Sequence, residues 1–262
     1  MGGNLIQLTT QQWIAGDTSS AALRQQLTIP DKSSLGRAAS VATVHTSWTM
    51  IGHLDELFAL ASFTAAPGKA AEYYLFYADP TWGLQLFREM QVEERRALLQ
   101  STREEETRWG GIDLGAQLAN EQRQDFSAAQ DLNHPDFREL VAANTTYAEI
   151  IMQDLPKFKE IIPPGHIIKL PILLVPAAFQ NSYGTPDDLA VAAYANSVNF
   201  WAGANIIITA QWPWPVWQQA VAQQMQKFPG KTFYLDAAVL NQRRGGLHCF
   251  TNEVAPTPHF PP

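Results

Sequence analysis

The sequence predicts a single mixed α/β (α+β) domain over residues 1–262, and three observations carry that reading. Strand-like runs alternate along the chain with stretches of helical spacing. Hydrophobic residues make up 46% of the chain and charged residues 16%, the balance of a globular protein with a substantial core. No Pro-, Ser- or Gly-rich linker cuts the chain into independent units.

Residues 1–50 are polar and turn-rich, with TIPDKSSLGR as a loop and VATVHTSWTMI as a strand. GHLDE then leads into LFALASF, apolar on both faces. The turn signal AAPGKA and the aromatic run EYYLFYADP complete a hairpin. From Thr81 the spacing turns helical, and WGLQLFREMQVEERRALLQSTREEE reads as a charged amphipathic helix. Residues 109–135 read as a polar connection with a short helix, and FRELVAANTTYAEIIMQDLPKFKEIIPP as a second long helix closed by Pro163 and Pro164. HIIKLPILLVP and SVNFWAGANIIITA each read as a buried strand, WPVWQQAVAQQMQKF as a helix, and KTFYLDAAVL as a strand running into RRGGLHCFTN.

The net charge of −7 and the absence of a dense basic cluster argue against a nucleic-acid surface. No apolar run reaches the roughly 18–20 residues of a membrane helix, and MGGNLIQLTTQQW lacks the pattern of a signal peptide. With one cysteine there is no disulfide framework, which weakly favours a cytoplasmic setting.

Two motifs carry chemistry. In Gly52-His53-Leu54-Asp55-Glu56, extended backbone would turn His53 and Asp55 to one face. An imidazole beside a carboxylate is an acid/base pair, because the carboxylate stabilises the protonated ring. The plainer alternative is a polar turn opening a strand. In RRGGLHCFTN, the cationic neighbours Arg243, Arg244 and His248 would stabilise a thiolate at Cys249, whereas a buried Cys filler is the plainer alternative. Taken together, the two supply a nucleophile, a proton carrier and an anion suited to attack on an electrophilic carbon. One Cys and no paired His at ligand spacing argue against zinc.

GHLDELFAL with its hairpin, followed by the terminal GGLHCFTN, resembles the catalytic domain of the protein-arginine deiminases, among the guanidino-group-modifying enzymes. GGNLIQLT is similar to that family's Gly-Asn-Leu segment, and VHTSWTMIGHLDE to the strand carrying its His-x-Asp. HIIKLPILL with AAFQN, SVNFWAGANIII and TFYLDAAVL resemble its later strands. The resemblance implies a five-bladed α/β propeller (the pentein fold), of which this chain would be the C-terminal portion lacking roughly the first blade. It implies hydrolysis of peptidyl or protein arginine to citrulline with release of ammonia. Cys249 would be the nucleophile, His53 the general acid/base and Asp55 one of two carboxylates that anchor the guanidinium. Arg243 stands where the family also has Arg and is the expected substrate contact.

Three departures accompany the resemblance. The family's other anchoring aspartate lies in a Trp-x-x-Asp-Glu motif that this chain does not contain, and its substrate-backbone arginine is likewise unmatched. The animal enzymes depend on calcium, but Ile6 stands where one carboxylate ligand would be, so no cofactor is expected of this chain. A propeller short of a blade would leave strand edges unpaired, which implies a second chain or segment as partner. Asp17 and Asp31 are the early acids available as a second anchor.

Two alternatives stand beside this reading: a deiminase of a free small guanidine such as arginine or agmatine, and an inactive fragment serving as a binding or assembly module. Trp212, Trp214 and Trp217 are expected to form a structural turn on the core, and Glu104-Glu105-Glu106 a solvated helix end. Asn181 and Asn199 lie in the matching segments without an assignable role.

Overall fold

The computed structural model describes residues 5–9, 12–20, 25, 40–49, 53–101, 121–122, 127–180, 186–203 and 205–236. Among them, twelve strands form four sheets of three. The first joins β1 (Leu5–Thr9), β2 (Gln12–Gly16) and β3 (Ser40–Val44), with β1 antiparallel and β3 parallel to β2. The second joins β4 (Phe58–Phe63), β5 (Glu72–Asp79) and β7 (Ile167–Pro171) in the same way. The third is antiparallel throughout and joins β6 (Glu121–Gln122), β8 (Leu174–Gln180) and β9 (Pro186–Ala192). The fourth joins β10 (Trp201–Gly203), β11 (Ile206–Ala210) and β12 (Lys231–Leu235), again as a hairpin plus one parallel strand.

A parallel neighbour requires a long crossover, and helices provide it in the second and fourth sheets. Between β5 and β7 run α1 (Pro80–Glu89), α2 (Val92–Ser101), α3 (Pro135–Asp154) and the short α4 (Pro156–Lys159). Between β11 and β12 runs α5 (Pro215–Met225). The mixed α+β class expected from the sequence is therefore present.

Local chemistry explains the boundaries. The β4–β5 hairpin turns through Pro67 and Gly68, whose φ of 80° is accessible to glycine at little cost. Asp79 ends β5 and starts α1: its carboxylate accepts from Trp82 N at 3.0 Å and Thr81 Oγ1 at 2.6 Å, with Pro80 in the first turn. The single helix expected from Trp82 onwards is two helices. Met90 takes extended backbone with ψ 154°, and Glu94 re-caps the chain by accepting from Gln91 N at 2.9 Å.

Two expected strands are also divided. HIIKLPILLVP forms β7 and β8, which belong to different sheets. Pro171 has no N–H to continue the ladder, and the buried Asn144 of α3 then pairs with both backbone groups of Leu174. SVNFWAGANIIITA begins inside a fully buried irregular stretch, Ala193–Phe200, and becomes the β10–β11 hairpin only at Trp201. That hairpin turns at Asn205, φ 67°, whose side-chain amide pairs with both backbone groups of Thr64 at the end of β4.

One apolar cluster runs through these sheets, with Phe58, Phe76, Phe87, Phe158 and Trp217 among its largest fully enclosed side chains. Trp212, Trp214 and Trp217 are buried, and Trp212 stacks on Trp217 with centroids 4.3 Å apart, as expected of a structural turn. α1 approaches the β7–β8 junction so closely that a Cβ at Gly83 would lie 1.8 Å from the Ile172 carbonyl oxygen. Among the described residues, no helix is long and apolar enough to cross a membrane.

Candidate active site

His53 and Asp55 lie on one turn, but not on a strand. Leu54–Glu56 form a single 3-10 turn with His53 as its N-cap, at φ −100° and ψ 142°. The extended geometry expected for His-x-Asp is thus corrected: three residues complete a turn here, so alternation of faces does not relate the two side chains. The strand expected over VATVHTSWTMI is likewise shorter. β3 ends at Val44, and His45–Thr49 form a turn and an isolated bridge.

Asp17 explains why β3 stops. Its carboxylate accepts from Thr46 N at 2.9 Å, Thr46 Oγ1 at 3.0 Å, Ser47 N at 2.8 Å and Ser47 Oγ at 2.7 Å. Burial alone would raise its pKa, but the hydrogen bonds from Ser47 and Thr46 outweigh it and hold the group below 3.8. Asp17 is therefore engaged in fixing this turn, which removes the case for it as a second guanidinium anchor.

The same turn is held from two other sides. The buried carboxylate of Asp154, at the end of α3, accepts from His45 N at 2.6 Å, lies 3.1 Å from His45 Nδ1 and pairs with Lys157. Trp48 stacks on Tyr147 of α3 with centroids 4.9 Å apart and planes 13° apart, and its carbonyl accepts from Ala190 N of β9 at 2.9 Å. His45–Trp48 are thereby fixed by the residue that follows β2, by α3 and by β9.

The 3-10 turn has its own supports. Asn196 Nδ2 donates to the Glu56 carbonyl at 2.7 Å, while Asn196 Oδ1 accepts from Val198 N at 2.9 Å. Leu57 O accepts from Ala78 N at 2.9 Å, which ties the turn to β5. Asp55 is buried at 6% exposure, and its neighbour Glu56 retains some exposed surface although its carboxyl group is enclosed. Burial, with Asp55 adding to it, pushes the Glu56 carboxyl up to about 8, despite hydrogen bonds from the Thr49 side chain and the His53 backbone. His53 Nδ1 is buried and has no hydrogen-bond partner among the described residues.

Arg243 and Cys249 lie outside the described residues, as do Asp31, Asn181 and Glu104-Glu105-Glu106. Asn199 is buried in the Ala193–Phe200 stretch. What the turn offers chemically is an imidazole and a carboxylate on one 3-10 turn, with a ring nitrogen that no neighbour among the described residues claims. Sequence reasoning missed Thr49, Glu56 and Asn196. For Glu56 a signal existed, since an acid three residues after an N-cap commonly reaches back to it. For Asn196 there was none, because a buried irregular stretch has no periodicity. At the position where calcium was implied, Ile6 packs its side chain against the core and offers no oxygen. Among the described residues, no group of three or more His, Cys, Asp and Glu side chains is placed to hold a metal ion.

A family model described as protein-arginine deiminase matches residues 36–256. No curated protein matches the sequence. Among solved structures, a provisionally assigned peptidyl-arginine deiminase is similar at 13% identity and a TM-score of 0.45, over 97% of this chain and 57% of its own. The agmatine deiminase of C. jejuni is similar at 12% identity and a TM-score of 0.43, over 95% of this chain and 53% of its own. The chain thus spans little more than half the length of either.

Proposed function

The chain belongs to the protein-arginine deiminase family, and we propose that it hydrolyses the guanidinium of peptidyl or protein arginine to a ureido group, releasing ammonia. The carrying observation is that the family match extends over 36–256 and so includes all four expected site residues: His53, Asp55, Arg243 and Cys249. In this reading the Cys249 thiolate attacks the central guanidinium carbon. Asp55 holds the planar cation through its N–H groups, and His53 protonates the departing ammonia. His53 then takes a proton from water, which attacks the same carbon and expels the thiolate. Arginine and water are consumed, and citrulline and ammonia are formed. Arg243 contacts the substrate.

The same reading takes the fold as part of a five-bladed propeller. Its support is the shared build of three sheets, each a hairpin extended by a parallel strand. A second chain or further segment would complete the propeller and supply the second carboxylate, and native mass with co-purification tests for it. A ureido colour assay on a benzoyl-arginine ester, free arginine and agmatine tests the substrate. Turnover confined to the ester supports the peptidyl reading, and turnover confined to the free guanidines replaces it.

A further inference from the structure

A cavity of about 370 Å³ lies against the second sheet and shares no residue with the expected active site. Strand alternation and the β5–β7 register put Tyr77, Ile167 and Lys169 on one face of that sheet, and all three line the cavity. Met152, near the end of α3, adds apolar surface and is 49% exposed, unusual for so large a hydrophobic side chain. Three lysines from three separate elements complete the lining. Lys159 ends α4, Lys169 lies on β7 and Lys227 follows α5. No acidic side chain is among the residues that line it.

The three ammonium groups are not equivalent. Lys169 is already paired with Asp79, 3.2 Å from its Nζ, and stands 5.0 Å from the centre of the Trp82 ring. Lys227 donates to a neutral group, Gln224 Oε1 at 2.6 Å. Lys159 has no hydrogen-bond or ion-pair partner among the described residues. On a chain of net charge −7, the cavity thus carries two uncompensated cations beside an apolar wall. Low-dielectric surface next to an ammonium group strengthens its pull on an anion. We propose that this cavity binds a small organic phosphate, with the phosphate on Lys159 and Lys227 and a ring-sized apolar body against Tyr77, Met152 and Ile167. Two free cations match a dianionic phosphate better than a singly charged carboxylate, and each ammonium group can donate to a phosphate oxygen. The volume falls within the range of small-molecule sites, roughly 300–1,000 Å³. The binding does not depend on the deiminase reading.

Calorimetric titration of the full chain with naphthyl phosphate, naphthol, naphthoate and inorganic phosphate tests the proposal. Naphthyl phosphate is expected to bind saturably, more weakly as salt rises, and roughly tenfold or more tightly than each of the other three. The double variant Lys159→Ala, Lys227→Ala is expected to bind it roughly tenfold or more weakly, with an unchanged melting point because neither side chain holds an ion pair. Acetylation of the wild type with acetic anhydride, read by mass spectrometry, supplies a measurement that needs no variant: naphthyl phosphate should protect Lys159 and Lys227. Absence of saturable binding, full affinity in the double variant, or protection confined to other lysines would overturn the site. Naphthoate binding as tightly as naphthyl phosphate would overturn the phosphate class, and inorganic phosphate doing so would overturn the apolar half.

Discussion

Asn196 Nδ2 donates to the Glu56 carbonyl at 2.7 Å across 140 residues of sequence, so a buried loop holds the turn that carries His53 and Asp55. Replacing Asn196 with Ala would remove this donor and the acceptor for Val198 N, leaving buried backbone groups unpaired. A loss of about 1–3 kcal/mol in denaturant unfolding is expected, together with lower activity. Wild-type stability in Asn196→Ala would mean that the loop and the turn are held by other contacts.

Asp17 should give the protein an acid-sensitive element. Its folded pKa lies below 3.8, so its stabilising contribution is fully present above that value and is lost as pH falls through the folded one. Asp17→Ala is expected to melt lower than the wild type at pH 7, with the difference shrinking in strong acid. A difference independent of pH would assign the effect to packing instead of charge.

Gly83→Ala sets two effects against each other. Ala favours a helix over Gly by about 1 kcal/mol. Against this, the new Cβ would sit 1.8 Å from the Ile172 carbonyl oxygen, an atom of backbone that cannot rotate away. The clash should win, with a net loss of about 1–3 kcal/mol or more read from thermal melts. A stabilised variant would show that α1 stands further from the β7–β8 junction.

For the proposed chemistry, Cys249→Ser is expected to abolish ureido formation while leaving circular dichroism and the melting point unchanged. His53→Ala should also prevent turnover, and a haloacetamidine probe of Cys249 should label it more slowly in Asp55→Ala than in the wild type. Unchanged activity in Cys249→Ser would end this mechanism.

Much of the element order was legible. The Pro-Gly turn between two apolar runs specifies the β4–β5 hairpin, and Asp79-Pro80 marks where β5 gives way to α1. Within single runs, legibility failed. HIIKLPILLVP shows the same apolar character on both sides of Pro171, so composition does not reveal that its halves serve two sheets. His-x-Asp reads equally well as extended chain or as turn, because two residues are too few to express a period.

The sequence by itself determined the α+β class, the hairpins and most helix starts, since these depend on local spacing, proline and capping side chains. It also carries GHLDE and RRGGLHCFTN as two motifs of one chain, because residue identity and order are its own property. Only the tertiary structure decided that β3 ends where Asp17 collects four donors, and that His53 caps a 3-10 turn. It alone buried the Glu56 carboxyl beside Asp55 and brought Asn196 onto the Glu56 carbonyl. Those outcomes depend on which distant groups meet in a buried space, where an unmatched donor or acceptor costs more than any local preference.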